Sequence, residues 1–234
     1  MRLDKYLTKT SVGNRKLAKK LIKDKKIYID EKLATSESLQ VCETSNVYLL
    51  NNNNLQKLEY EEYIYLMLNK PKNYVCATKD NLHKSVLELI KDYEERDLHI
   101  VGRLDIDTEG LLLITDDGDF THKITSPKSN IPKKYYVEYC GKIKEDAEKS
   151  VKEGIVLDDG TITKSGILEV IDEKSAYITI YDGKFHQVKR MFAEIGTHVT
   201  YLKRVKIGSL ELDEKLELGS YKKLTEQEKN LSMN

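Results

Sequence analysis

The sequence predicts an α+β protein in two parts, a small N-terminal unit of helices and strands followed by a mixed, mainly antiparallel β-sheet with flanking helices. Three observations carry this. Apolar residues at helical spacing cluster before residue 25, whereas short alternating or apolar runs bounded by turn residues dominate from Ile64 onward. The charge is also partitioned: residues 1–58 hold 12 Lys/Arg against 6 Asp/Glu, in a chain whose 39 basic and 39 acidic groups cancel overall.

Leu3, Tyr6 and Leu7, then Leu17, Ala18, Leu21 and Ile22, recur at intervals of three and four and predict two short helices, with Ile27-Tyr28-Ile29 as the following strand. Asn51-Asn52-Asn53-Asn54 is polar and aperiodic, followed by Glu59, Glu61 and Glu62, so a linker is expected near 50–60. The domains are then residues 1–58 and 59–234. In the second, strands are expected at Tyr65-Leu66-Met67-Leu68, Leu98-His99-Ile100-Val101, Leu111-Leu112-Leu113-Ile114-Thr115, Tyr135 to Tyr139, Ala176 to Ile180 and Val205-Lys206-Ile207. Helices are expected at Ser85 to Lys91, Lys144 to Glu153 and His186 to Ile195, the last ended by Gly196.

At 234 residues and 39% hydrophobic content the chain can bury a core, which excludes a disordered protein. It has no apolar stretch of the roughly 20 residues a membrane span needs, and its first residues lack the apolar core of a secretory signal, so a cytoplasmic location is expected. Cys42, Cys76 and Cys140 are odd in number, far apart and without a CxxC pair, which predicts buried free thiols and neither a disulfide framework nor a metal site. No repeat of 20 to 50 residues is visible, which argues against solenoids and propellers.

Two features invite a functional reading. Arg15, Lys16, Lys19, Lys20 and Lys23 form a basic helix face, because Arg15, Lys19 and Lys23 stack along one side; such a stripe is either solvated or laid against phosphates, and spacing leaves both open. The second is Gly102-Arg103-Leu104-Asp105-Ile106-Asp107-Thr108-Glu109-Gly110, a charged hinge between two apolar strands that a core would not tolerate unpaired. With Asp116 it imitates a calcium loop, but its flanks read as strands and its twelfth position is Asp, shorter than the usual Glu. A glycosidase-like pair of Asp105 and Asp107 is disfavoured because carboxylates two apart on an extended chain point to opposite faces. Turn capping or pairing with Arg103 stays open on spacing alone.

Longer patterns narrow the choice. Arg2-Leu3-Asp4-Lys5-Tyr6-Leu7, Gly13-Asn14-Arg15-Lys16-Leu17-Ala18 and Ile27-Tyr28-Ile29 together resemble the S4 RNA-binding domain, which implies a small αL-like fold. The chain departs at Lys25 and Asp30-Glu31, where such domains often have Gly and Asn-Gly. Gly102-Arg103-Leu104-Asp105, Thr108, Gly110-Leu111-Leu112-Leu113, Thr115 and Asp117-Gly118, with Asn69-Lys70-Pro71-Lys72, Lys133-Lys134-Tyr135-Tyr136-Val137 and Gly183-Lys184-Phe185-His186-Gln187-Val188-Lys189-Arg190-Met191-Phe192, resemble the RsuA-type ribosomal pseudouridine synthases. Asn73 departs where Gly often follows Lys-Pro.

The resemblance implies a cofactor-free, monomeric enzyme that turns one uridine of ribosomal RNA into pseudouridine, breaking the ribose C1′ bond to N1 and remaking it to C5 on an extruded base. It makes Asp105 the catalytic aspartate, by covalent attack or by proton abstraction, with Lys189 as its cationic partner and Arg190 as the alternative. Tyr135 would stack on the uracil and help remove its C5 proton, while Tyr136 on the opposite face packs. The implied RNA contacts are Arg2, Arg15, Lys16, Lys19, Lys20, Arg103, His186, Gln187 and Arg190; Arg103 could equally brace the loop, as could His186 and Gln187. Residues 184–206 carry six Lys/Arg against Glu194 alone, which suits an RNA-facing surface. The Phe185 to Met191 wording resembles the branch acting on small-subunit 16S rRNA, with 23S rRNA as the alternative target and a non-catalytic S4 assembly factor as the competing class.

Overall fold

The computed structural model describes residues 1–93 and 96–234, which divide into two compact units, Met1–Ile64 with Ile90–Leu98, and Tyr65–Leu89 with His99–Asn234. In the first, helices Leu3–Thr8 and Arg15–Lys23 pack Leu3, Tyr6, Leu7, Ala18 and Ile22 against a four-stranded antiparallel sheet in the order Lys32–Leu33, Ile27–Ile29, Val47–Asn51, Asn54–Lys57. The spacing of those apolar residues is what puts them on one helix face. Asn14 starts the second helix by accepting from the Leu17 N–H at 2.8 Å.

The non-glycine residues at the departures from the S4 pattern take the backbone shape that glycine would supply. Lys25 (φ 56°), Asp30 (φ 45°) and Glu31 (φ 67°) are all left-handed, and Asp30-Glu31 closes the hairpin in which Ile29 pairs with Lys32. The turn survives with residues that tolerate this region less readily than Gly. The asparagine tract is likewise a hairpin: Asn52 and Asn53 have φ of 46° and 64°, and Asn51 pairs with Asn54. The expectation of a linker at 50–60 therefore fails there, because Asn enters the left-handed region most easily after Gly and builds a two-residue turn. Leu58 is buried in this unit's core. The segment Ile90–Leu98 joins the same unit, where the buried Arg96 donates to the Glu61 carbonyl at 2.6 Å.

The larger unit is α+β with a mixed, mainly antiparallel sheet, in the order Ile167–Val170, Ser175–Ile180, Lys133–Gly141, Thr197–Ile207, Glu109–Thr115, Tyr65–Lys70, Tyr221–Lys223, with His99–Val101 and Leu210–Glu211 paired to it at the side. Within it the pairing of Glu109–Thr115 with Thr197–Ile207 is parallel. Gly110 makes this approach feasible: a Cβ there would lie 2.2 Å from the Arg204 carbonyl oxygen, and its φ of 103° suits glycine.

Helices differ from expectation at their ends. Ser85 to Lys91 is two short 3-10 turns, Val86–Leu89 and Lys91–Tyr93, while the later helices run Ala147–Glu153 and Gln187–Glu194. Gly118–Thr125 was not expected as a helix; Asp117 starts it by accepting from the Asp119 and Phe120 N–H groups, and also takes the Tyr65 hydroxyl at 2.6 Å. The expectation of buried thiols fails too: Cys42 and Cys140 are exposed and Cys76 is partly buried, since each lies at a turn or strand end rather than on a core-facing position. No helix among the described residues is long and apolar enough to cross a membrane.

Candidate active site

Asp105 lies on the loop between strands His99–Val101 and Glu109–Thr115, so the hinge lacks the two helices of a calcium-binding loop. Lys70, fully buried, fixes that loop. Its ammonium donates to the carbonyls of Pro71 (3.0 Å), Asp105 (3.1 Å) and Thr108 (2.8 Å). Carbonyl dipoles thus replace the water a buried cation loses. Burial still pushes Lys70 below the usual lysine range, against the opposing pull of Cys76, Asp107, Asp105 and Glu109. Thr108 N–H closes a turn on the Asp105 carbonyl at 3.1 Å, and Asn73 N–H reaches the Ile106 carbonyl at 2.8 Å. Asn73 does this in the left-handed region (φ 67°), so the departure from Gly keeps the turn.

The helix Gln187–Glu194 supplies the carboxylate's partners. Lys189 Nζ stands 3.3 Å from Asp105 Oδ2 and 2.6 Å from Asp107 Oδ1, and His186 Nε2 is 3.7 Å from Asp105 Oδ1. Lys189 therefore bridges two carboxylates. Burial works to raise Asp107, but the Lys189 hydrogen bond and charge outweigh it and hold the group below the usual aspartate range. Asp107 is thus a competitor for the lysine.

Other expected residues fall where sheet geometry sends them. Tyr135 is buried and lines the same cleft as Asp105, while Tyr136, on the opposite face, packs edge-on against Tyr177 and Tyr201. Arg103 is exposed at the cleft wall. His186 stands in the left-handed region (φ 47°) with its ring stacked on the exposed Phe185, centroids 3.8 Å apart.

Three groups of candidate residues have partners of their own within the fold. Arg190 is not the partner of Asp105: its guanidinium is held by Asp158 and by Asp159, the latter at 2.8 Å. It points there because it follows Lys189 by one residue, about 100° around the helix. Gln187 is buried at the cleft, where it braces the loop, one of its two expected tasks: it accepts from the Lys184 N–H at 2.8 Å and donates to Asp182. The basic stripe of the first unit is partly neutralised by its own acids. Buried Asp4 takes Arg2 at 3.0 Å and Arg15 at 3.3 Å, and Glu37 takes Lys19 at 3.1 Å, leaving Lys16 and Lys20 exposed without an ion pair among the described residues.

The cleft has a volume of about 290 Å³, and Asp105, Arg103, Tyr135, His186, Lys133 and Arg204 all line it. Space for one base, a carboxylate held by a lysine, an aromatic wall and surrounding cations fit a nucleoside-modifying enzyme, here joined to a basic module. The comparisons with known proteins carry this to a family. Residues 64–194 match the RNA pseudouridylate synthase family and residues 1–47 the S4 domain. The chain is 40% identical over 229 residues to a ribosomal small subunit pseudouridine synthase A from Vibrio cholerae, covering 97% of each. It is 38% identical to that of Escherichia coli K12, covering 97% of this chain and 98% of the relative. A crystal structure of a pseudouridylate synthase matches with a TM-score of 0.70 at 37% identity, covering 99% of both chains. The chain belongs to the RNA pseudouridylate synthase family and carries an S4 domain.

Sequence reasoning passed over Lys133 and Arg204 as site residues and gave Lys70 no role. Lys70 and Lys133 were within quoted motifs, and their lysine-before-turn and lysine-before-tyrosine positions were the available signal. Arg204 was visible only as one of the six Lys/Arg of residues 184–206, since the pairing of distant strands is what sets it beside Tyr135.

Proposed function

We propose that this protein isomerises one uridine of small-subunit ribosomal RNA, acting as a cytoplasmic monomer without a cofactor, with Asp105 as the catalytic aspartate. The observation that carries the reading is Asp105 within 3.3 Å of Lys189 in a base-sized cleft that Tyr135 also lines. Lys189 holds the carboxylate in place by a charge-assisted contact, as either covalent attack on C1′ or abstraction of a ribose proton requires. Tyr135 stacks on the extruded uracil and assists loss of the C5 proton. Arg103 and His186 contact RNA at the cleft mouth, and Arg2, Arg15, Lys16, Lys19 and Lys20 anchor it on the N-terminal domain, residues 1–58. The small-subunit target follows the names of the relatives above, which match this chain nearly end to end.

Pseudouridines are mapped in both ribosomal RNAs from cells lacking the protein, complemented with wild type or Asp105→Ala. The expected result is one missing mark in 16S rRNA, restored by wild type alone. Restoration by Asp105→Ala overturns the role of Asp105, and a mark lost from 23S rRNA instead overturns the target.

A further inference from the structure

Among the cations that line the cleft, Lys133 and Arg204 are given no task by the roles above. Lys133 and Tyr135 stand two residues apart on one strand and so share a sheet face, and Tyr135 pairs with Arg204 on the neighbouring strand. Arg204 is 3% exposed; its Nε donates to the Leu111 carbonyl at 2.7 Å, and its Nη2 is buried without a hydrogen bond. Lys133 Nζ donates to the Ile131 carbonyl at 2.9 Å, a contact that offsets no charge. The nearby acid, Asp182, is shared: it takes Gln187 and the Lys164 N–H, and lies 3.9 Å from Lys184. Burial first, then the repulsion of Arg204 and Lys164, push Lys133 down to about 8 against the pull of Asp182. A buried arginine beside a half-buried lysine, both weakly compensated, is costly unless an anion comes to them.

We propose that Lys133 and Arg204 form a cationic floor that stabilises the negative charge uracil acquires when its glycosidic bond breaks. The proposal rests on the uridine-isomerising reading above, and holds for either role of Asp105. The C1′–N1 bond breaks with its electron pair kept by the ring, where the charge spreads over N1, O2 and O4. A ring electron pair at C5 then forms the C1′–C5 bond as the Asp105 ester to C1′ breaks or, after proton abstraction, as C2′ regains its proton; this discharges the ring, and the C5 proton then leaves to a base while N1 takes one up. Because the anion exists only between those steps, the floor acts on the transition states and not on bound substrate. Val101, Ile180, Leu202 and Ile207 line the same cleft and keep its dielectric low, which strengthens the attraction.

A backbone phosphate is the rival anion, and it is present before any bond breaks. The two therefore separate in kinetics. Transcripts of both ribosomal RNAs carrying [5-³H]uridine are used to follow tritium release by wild type, Lys133→Met, Lys133→Arg and Asp105→Ala. Lys133→Met is expected to lower kcat about 10²-fold with KM nearly unchanged, and Lys133→Arg to restore it. Wild-type kcat is expected to fall as pH rises through about 8, and this fall to be absent from Lys133→Arg, which keeps every other group facing Lys133: Arg204, Asp182, Lys164, Lys184, Tyr135 and Asp105. If Lys133→Met does not fold, the pH profile of Lys133→Arg decides. A raised KM at unchanged kcat assigns the floor to phosphate and overturns the proposal, as does Lys133→Met turning over like wild type. Silence of wild type on both transcripts overturns the underlying reading and this inference with it.

Discussion

The two units handle positive charge in opposite ways. In the N-terminal unit Arg2 and Arg15 converge on the buried Asp4, and Lys19 on Glu37, so much of the basic surplus closes on itself. In the catalytic unit Lys189 is divided between two carboxylates, and Lys133 and Arg204 lie in the cleft with little compensation. A surplus counted along the sequence thus says where cations are, and the partners found in three dimensions say which are available to a substrate. Cations satisfied within the fold stabilise it; cations left short of partners favour whatever anion arrives.

The largest effect that could break this contrast is at the carboxylate itself. Asp105→Asn is expected to abolish turnover, by about 10³-fold or more, while RNA affinity measured by filter binding stays near wild type. Loss of binding of the same size would make Asp105 a structural acid like Asp4.

Next is Lys189→Met, expected to lower kcat by about tenfold to a hundredfold. Asp107→Asn is the sharper companion. It removes the competing carboxylate and leaves Lys189 to Asp105 alone, so turnover is expected to hold or rise; a loss equal to that of Lys189→Met would make the Asp107 contact necessary in its own right.

Asp4 offers a stability measurement. The Arg2 hydrogen bond holds its carboxyl below the usual aspartate range against burial, with the Arg2 and Arg15 charges and the Lys5 N–H adding to the effect. A depressed folded value means that the stabilisation is complete above the unfolded value near ~4 and is lost as pH falls through the folded one. Thermal melting of the full chain is expected to show this acid-side loss in wild type and not in Asp4→Asn, which costs about 2 kcal/mol at neutral pH. Equal acid sensitivity in the two would show that Asp4 contributes none of it.

The smallest effect concerns the basic helix. Lys16→Ala with Lys20→Ala is expected to reduce the salt slope of RNA binding by about 1.5, and Arg15→Ala with Lys19→Ala by less, because those two already have partners. The reverse order would mean that RNA displaces Asp4 and Glu37 from their cations.

The sequence by itself determined the α+β class, the two modules, the family resemblance, and the grouping of Asp105, Tyr135 and Lys189, because apolar periodicity and long motifs are local and survive without coordinates. Left-handed turns at Lys25 and Glu31 were less legible, since nothing in those residue types announces a positive φ, whereas Asp30 and Asn73 are types that enter that region more readily. The same reasoning misread Asn51 to Asn54 as a linker, where only the pairing of Asn51 with Asn54 reveals a hairpin. Tertiary structure alone decided that Arg190 turns to Asp158 and Asp159, that Gln187 is buried, that Lys70 pins the loop of Asp105, and that Arg204 stands beside Tyr135. Each of these depends on which of several nearby polar groups a side chain reaches. For Lys70, Arg190 and Arg204 that choice is fixed by helix rotation and strand register across more than thirty residues of intervening chain, and periodicity carries no record of it.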